Sequence, residues 1–158
     1  MSPPQPIAAF QVDALRVRVF ADRSQLGRAA AADVRAAIQS RLAEADRVNI
    51  IFAAAPSQDE FLAGLLAISG IDWSRVVGFH MDEYLGLDAS HPASFRRYLN
   101  EHLFHLTGLP ADRLRLIPGE RAERPLQVCL DYEERLIEEP TDIVCAGINH
   151  QTWYIQVI

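Results

Sequence analysis

The sequence lacks the features that mark nucleic-acid-binding, membrane and secreted proteins. Its 158 residues carry a net charge of −6 without a basic run, which disfavours a nucleic-acid or anionic-membrane partner. No apolar stretch approaches the length of a membrane span. The Pro-rich start has no charged region followed by an apolar one, so we expect no signal peptide. All 15 basic residues are arginine, which is as typical of a coding bias as of a physical adaptation.

Cysteine is also scarce, which limits both the cellular compartment and the kinds of metal or disulfide site to be expected. The chain has only Cys129 and Cys145, and they do not form a metal-ligand spacing. Two thiols in a chain of this size indicate reduced, structural side chains, so we expect a cytoplasmic protein. With 49% hydrophobic residues, the chain is long enough to form one domain with a substantial core.

Predicted strands and helices alternate along the chain. The predicted strands are 14–20, 48–53, 75–79, 113–117 and 141–147. The predicted helices are 26–42, 57–70, 92–106 and 126–138, and the Pro-rich start is interpreted as a loose arm. Ser57 and Glu60 fit a capping box, with Ser57 as the N-cap. This alternation predicts an α/β fold, a three-layer, mostly parallel Rossmann-like sheet with helices on both faces.

Two adjacent carboxylates follow the third predicted strand. Strand 75–79 leads directly into Asp82 and Glu83, and a Gly-containing loop then runs to the next helix. In open α/β sheets, ligands bind beyond the carboxyl ends of the strands. A partly desolvated carboxylate at that edge can act as a general acid or base. An isolated Asp-Glu pair is more often a solvated pair that caps a turn, and this alternative stays open from the pattern alone.

The surroundings of these carboxylates carry a family resemblance. Residues 79–87 read FHMDEYLGL and residues 91–95 read HPASF. Together they resemble the signature of glucosamine-6-phosphate deaminases, typically F-N-M-D-E-Y-x-G-L followed by H-P-x-S-[FY]. The similarity extends from the first helix to residue 148. The related 6-phosphogluconolactonases share the fold but typically read D-E-R where this chain has Asp82, Glu83 and Tyr84.

The resemblance implies an aldose–ketose isomerisation that converts an amino-sugar phosphate to a ketose phosphate and ammonia. In the family, the Asp that matches Asp82 removes the proton at C2 of the opened sugar, so Asp82 is the implied catalytic residue. Ser57, Glu83, Tyr84 and Ser94 are the implied substrate-binding residues, and Ser94 is expected to fix the loop. The implied partner is a small-molecule sugar phosphate, and the acid–base chemistry needs no metal or organic cofactor.

The turn after strand 48–53 departs from the family. Residues 53–57 read AAAPS where the family usually has a T-G-[GS]-T-P phosphate loop. A helix N-terminus supplies free amides and a positive dipole end, so phosphate binding there is physically sensible. Only Ser57 offers a hydroxyl, and the predicted capping box gives that group another role. Phosphate binding and a purely structural cap both stay open.

Two histidine arrangements raise the possibility of a metal site. His80 lies two residues before Asp82, and His102 lies three residues before His105. Neither pair has the additional ligands in sequence that a metal site requires. The sequence therefore predicts no metal, with solvated or helix-end histidines as the default interpretation.

The last ten residues differ from the rest of the chain, and we treat 1–148 as a sugar-phosphate isomerase-like domain and 149–158 as an atypical tail. The family continues after residue 148 with a Gly-His motif whose His opens the sugar ring. Aligned without gaps, Trp153 falls at that His, and His150 lies three residues early. We therefore expect the C-terminal part of the family fold to be missing, with activity impaired or absent.

Loss of that C-terminal part would also leave a strand edge exposed, which makes self-association into a homo-oligomer possible. Two alternative functions stay open. One is a 6-phosphogluconolactonase-like hydrolase, and the other is a non-catalytic sugar-phosphate-binding remnant.

Overall fold

The computed structural model describes residues 3–147 and the backbone of residues 156–157. The strands are β1 Ala8–Val12, β2 Leu15–Val19, β3 Val48–Phe52, β4 Val76–His80, β5 Leu114–Arg115, β6 Ile143–Gly147 and β7 Gln156–Val157. The α-helices are α1 Arg23–Leu42, α2 Asp59–Ala67, α3 Phe95–Leu99, α4 His105–Thr107 and α5 Pro125–Glu138. A π-helical turn, Asn100–Phe104, joins α3 to α4.

The main sheet has the strand order β5-β4-β3-β6-β7. Its first four strands are parallel, and β7 pairs antiparallel with the last two residues of β6. Phe52 of β3 lies opposite His80 on one side and Cys145 on the other. The carboxyl ends of β3, β4 and β6 therefore lie side by side at one edge of the sheet.

Helices cover both faces of this sheet, which confirms the predicted α/β fold class. On one face, α1, α2 and the helical segment 95–107 bury a single apolar cluster with β3, β4 and β6. Phe52 and Phe104 meet there edge to face, with their ring centroids 5.8 Å apart. Complete burial of one such side chain contributes about 1.5–3 kcal/mol to stability. On the other face, Tyr132 of α5 packs against Phe79 of β4.

The sequence analysis did not predict the strand at residues 8–12, which follows the Pro-rich start. These residues form β1, which pairs antiparallel with β2 as a separate two-stranded sheet. A two-residue turn connects the strands, and its Asp13 has a φ of 50°, a conformation that aspartate tolerates. The prolines that suggested an arm lie before the strand, where they remove no donor from the ladder.

The predicted capping box is also contradicted. Pro56–Gln58 form a short 3-10 turn whose N-cap is Ala55, and α2 starts only at Asp59. Proline has a φ suited to the first position of a helical turn, so the turn begins one residue earlier than the box requires. The carboxylate of Glu60 pairs with Arg23 at 2.6 Å instead of reaching back to residue 57.

Candidate functional site

Asp82 lies just beyond the carboxyl end of β4, where sequence reasoning placed it. Its side chain is exposed, and it makes no hydrogen bond or ion pair to any other described residue. Partial desolvation by the surrounding protein, and then the negative charge of Glu83, raise the pKa of this carboxyl above its usual value. A carboxylate without partners and with a raised pKa is suited to accept and return a proton.

Glu83 has the opposite environment, because its side chain is fully buried. Its carboxylate accepts hydrogen bonds from the amides of Tyr84, Phe95 and Arg96 at 2.9, 3.0 and 3.1 Å. The Ser94 hydroxyl and the guanidinium Nε of Arg96 also donate to it, at 2.8 and 3.1 Å. Burial alone would raise the pKa of Glu83, but these hydrogen bonds outweigh it and lower the pKa. Glu83 is therefore an ionised carboxylate directed into the protein.

Ser94 is the N-cap of α3. Its Oγ accepts a hydrogen bond from the Arg97 amide at 3.3 Å and donates to Glu83. The side chain is buried, because α3 begins directly against the loop that carries Asp82. The structure thus brings Ser94 and Glu83 together and directs their polar atoms at each other.

Tyr84, on the same loop, is half exposed. Its ring packs on Phe95 with centroids 4.9 Å apart, and its hydroxyl makes no hydrogen bond to a described residue. A second segment closes over the loop, since the Gly86 amide donates to the Gly119 carbonyl at 2.7 Å. A side chain at Gly119 would lie 2.5 Å from the Tyr84 carbonyl oxygen, so only glycine permits this approach.

Ser57 lies in the neighbouring turn, between β3 and α2. It caps no helix, and its hydroxyl accepts a long hydrogen bond, 3.5 Å, from the side-chain amide nitrogen of Gln58. A Cβ on Gly147, the last residue of β6, would collide with that same amide nitrogen. The end of β6 therefore rests directly on Ser57 and Gln58, which brings the third strand end into the site.

Two further residues of this edge, Tyr98 and Gln58, escaped sequence reasoning. Tyr98 donates from its hydroxyl to the Ala55 carbonyl at 2.8 Å and also bonds Asp59, so it ties α3 to the β3–α2 turn. Gln58 is buried, and its carbonyl oxygen has no partner among the described residues. Periodicity assigns Tyr98 to a helix and Gln58 to a turn, but it gives no signal of such tertiary contacts.

His80, for which the sequence favoured a solvated side chain, is instead a buried support for β4. Its Nε2 accepts a hydrogen bond from the Ile117 amide at 2.7 Å, and its backbone carbonyl accepts one from the Tyr132 hydroxyl at 2.7 Å. Burial lowers the pKa of His80 to about 4, so the ring is neutral at physiological pH. An imidazole held in this way supports the end of β4 and is not a side chain open to solvent.

Neither histidine pair forms a metal centre among residues 3–147. His102 stacks on Tyr98 with centroids 4.2 Å apart, and its Nδ1 lies 2.8 Å from the Tyr98 carbonyl oxygen. No three His, Cys, Asp or Glu side chains in this part of the chain are grouped as a metal site needs. Nor does any helix in it combine the length and apolar content that a membrane span requires.

The prediction about the missing Gly-His motif concerns residues 149–158, including His150 and Trp153. These residues lie outside those that the structure describes, apart from the backbone of β7. That short strand covers the outer edge of β6 at Ala146 and Gly147, so this edge is not left unpaired along its whole length.

Comparisons with known proteins agree with this architecture. Among solved structures, a monomeric glucosamine-6-phosphate deaminase superposes with a TM-score of 0.69 at 19% identity, covering 76% of this chain and 49% of that one. A 6-phosphogluconolactonase from Plasmodium vivax superposes with a TM-score of 0.74 at 14% identity, covering 92% and 52%. At such low identity these likenesses show the shared fold.

Relatives found by sequence have higher identity to this chain, but they match a smaller part of it. A glucosamine-6-phosphate deaminase from Shewanella woodyi is 39% identical over 69 residues, or 44% of this chain and 26% of the relative. One from Listeria monocytogenes is 37% identical over 102 residues, or 65% and 42%. The chain thus matches less than half the length of these relatives.

The family model described as glucosamine-6-phosphate isomerases/6-phosphogluconolactonase matches residues 21–149. This match covers most of the chain, including all three strand ends of the site. The chain therefore belongs to the glucosamine-6-phosphate isomerase/6-phosphogluconolactonase family.

Proposed function

We propose that the chain carries the proton-transfer part of a glucosamine-6-phosphate deaminase-type site, with Asp82 as the base. Asp82 would remove the proton from C2 of the opened amino-sugar phosphate. The resulting enolamine would be reprotonated at C1, and attack of water at C2 would release ammonia and leave fructose 6-phosphate. The observation that carries this proposal is the contrast between two adjacent carboxylates, one without partners at the strand end and one buried in hydrogen bonds.

The electrostatics of the strand end support the assignment. A general base works best when its pKa is close to the working pH, and both partial desolvation and the charge of Glu83 move the pKa of Asp82 upward. Glu83 is unsuited to the same role because its lone pairs are taken by five donors within the protein. The chain therefore offers one carboxylate for chemistry at this position.

The β3–α2 turn is the proposed place for the phosphate. Ser57 is released from the capping role that the sequence suggested, so its hydroxyl is available to an anion. The acidic neighbour Glu60 is paired with Arg23 at 2.6 Å, which reduces the negative charge that a phosphate would meet. Because β3 and β4 are adjacent and parallel, this turn and the Asp82 loop leave the same edge of the sheet and can hold two ends of one small ligand.

Two other functions are compatible with the family, whose model covers both deaminases and lactonases. The relatives by sequence quoted above are deaminases, whereas lactonases are among the structural neighbours that share only the fold. Tyr84 stands where lactonases typically have arginine, and its side chain is half exposed. These observations favour deaminase chemistry over lactone hydrolysis. A sugar-phosphate-binding chain without turnover is the third possibility.

The test is an assay of the purified 158-residue chain with glucosamine 6-phosphate, following release of both ammonia and fructose 6-phosphate. Asp82→Asn removes the proposed base, and Asp131→Asn, on the exposed face of α5, is the matched control. General-base catalysis is typically responsible for 10²–10⁴-fold in rate, so we expect a loss of roughly 10²-fold or more in Asp82→Asn only. Circular dichroism of each variant establishes that it is folded.

Parallel assays separate the three functions. Hydrolysis of 6-phosphogluconolactone without ammonia release would replace the deaminase assignment with the lactonase one. Binding of fructose 6-phosphate by calorimetry, with no turnover of either substrate by the folded chain, would identify the non-catalytic binder. Equal turnover in Asp82→Asn and the control would remove Asp82 from the mechanism.

A further inference from the structure

We propose that Glu83 is a positioning residue, which holds Asp82 at the strand end by anchoring the loop to α3 through Ser94 and Arg96. The inference rests on the proposed function in one respect, namely that Asp82 is the base. It differs from the role that the family resemblance implied for Glu83, which is contact with the substrate.

The anchor is formed by hydrogen bonds that converge on one side chain. Four donors come from the start of α3, namely the Ser94 hydroxyl, the Phe95 and Arg96 amides and the Arg96 guanidinium, and the fifth is the Tyr84 amide. All five lie 2.8–3.1 Å from a carboxylate oxygen of Glu83. Because a buried carboxylate is tolerated only when it is paired and hydrogen-bonded, Glu83 and these donors keep each other in place.

Arg96 extends the anchor to both ends of the loop. Its guanidinium donates to the Leu87 carbonyl at 3.0 Å and pairs with Glu120 at 2.8 Å. The side chain is buried although it is charged, and Glu83 and Glu120 are the carboxylates that pair with it. The loop is therefore fixed at residue 83, next to the base, and again at residue 87, where it turns towards α3.

The same helix holds the other half of the site. Tyr98, one turn after Ser94 on α3, bonds the Ala55 carbonyl of the β3–α2 turn at 2.8 Å. Thus α3 contacts the loop that carries Asp82 at its first turn and the proposed phosphate turn at its second. A change at Glu83 would alter the distance between base and phosphate as well as the orientation of the base. Precise placement of reacting groups is worth large factors in rate.

Glu83 acts on Asp82 through its charge as well as through geometry. The charged groups around Glu83 are Asp82 on its own loop, Arg96 on α3 and Glu120 on the segment that closes over the loop; His80 of β4 is neutral. The negative charge of Glu83 is one of the two causes that raise the pKa of Asp82. Removal of that charge with little change in shape should therefore lower the pKa of Asp82.

The experiment compares the wild-type chain with Glu83→Gln, Ser94→Ala and the control Glu101→Gln. Glu101 is an exposed carboxylate paired with Arg97 across one helical turn, so its replacement removes a charge nearby without touching the anchor. NMR measures the carboxyl titration of Asp82 and the hydrogen exchange of the Tyr84, Phe95 and Arg96 amides. Steady-state kinetics with glucosamine 6-phosphate gives kcat and KM.

For Glu83→Gln we expect a lower pKa of Asp82, faster exchange at the three amides and a kcat reduced roughly 10-fold to 100-fold, with a much smaller change in KM. Ser94→Ala keeps the charge, so it should speed exchange at Phe95 and Arg96 while leaving the pKa of Asp82 raised. If Glu83→Gln does not fold, amide exchange in Ser94→Ala still tests the anchor. The control should match the wild-type chain in every measurement.

An unchanged pKa of Asp82 together with unchanged amide exchange in folded Glu83→Gln would overturn the proposal. A large rise in KM with kcat preserved would also overturn it, because that result indicates direct contact with the substrate. If the wild-type chain shows no turnover, the proposed function fails while the NMR measurements still decide whether Glu83 positions Asp82.

Discussion

The Tyr132 hydroxyl has three hydrogen-bond contacts at the end of β4, and its removal tests how that strand is held. The hydroxyl donates to the His80 carbonyl at 2.7 Å, accepts from the His80 amide at 3.2 Å and lies 3.2 Å from the Arg115 carbonyl oxygen. His80 is only 1% exposed, so water cannot easily replace these bonds. Burial raises the pKa of Tyr132 to about 12, so the hydroxyl keeps its proton at physiological pH.

Tyr132→Phe deletes the hydroxyl and keeps the ring that packs edge to face on Phe79. A buried backbone group left without its partner costs about 1–3 kcal/mol, and we expect the free energy of unfolding to fall by that amount. For a domain of this size, each kcal/mol corresponds to roughly 2–4 °C in Tm. The matched control is Tyr84→Phe, because the Tyr84 hydroxyl has no partner among the described residues.

Urea denaturation followed by circular dichroism measures both variants against the wild-type chain. Surface changes away from special contacts usually stay within about 0.5 kcal/mol, which is the range expected for Tyr84→Phe. A Tyr132→Phe variant as stable as this control would refute the reasoning, since it would mean that the hydroxyl contributes nothing at the end of β4.

Two further predictions concern the neighbours of Asp82. Burial lowers the pKa of His80 to about 4 in the folded chain, below the ordinary histidine value of 6.5, so between these values the unfolded chain binds the extra proton and stability falls as the pH falls. We expect the wild-type chain to lose about 2 kcal/mol from this group between pH 7 and 5; urea unfolding of His80→Asn should lack that loss, and an equal loss in the variant would contradict the account. Gly119→Ala should destabilise by about 1–3 kcal/mol through overpacking against Tyr84, with NMR shifts in residues 83–87; unchanged shifts would mean that this close approach is not needed.

Elements whose signal is local could be predicted from the sequence. The apolar repeat of α1 and the β-branched run of β3 identify their structures because periodicity and composition suffice. The sequence predictions failed where two local sequence patterns favour different structures. Ser57 and Glu60 match a capping box, but Pro56 starts the turn earlier and Arg23 takes the glutamate. The prolines near the start concealed β1, whose partner β2 lies only a few residues further along.

The position of Asp82 could be predicted because a parallel strand must end at the ligand-binding edge. The role of Glu83 could not, because its burial depends on where α3 begins relative to the loop. Two adjacent carboxylates look alike in sequence, yet one is exposed without partners and the other accepts five hydrogen bonds. Their environments differ because α3 packs against the loop and surrounds only Glu83 with donors. Whether Ser57, Glu83, Tyr84 and Ser94 contact a substrate stays a prediction.

The sequence by itself determined the fold class, the family and the place of the catalytic candidate, because each depends on short-range patterns and the topology of strands that alternate with helices. The tertiary structure decided which carboxylate is free, which hydroxyl caps a helix and which histidine is buried. Those properties arise from desolvation and from hydrogen bonds between residues that are close in space but far apart in the chain, such as His80 and Tyr132.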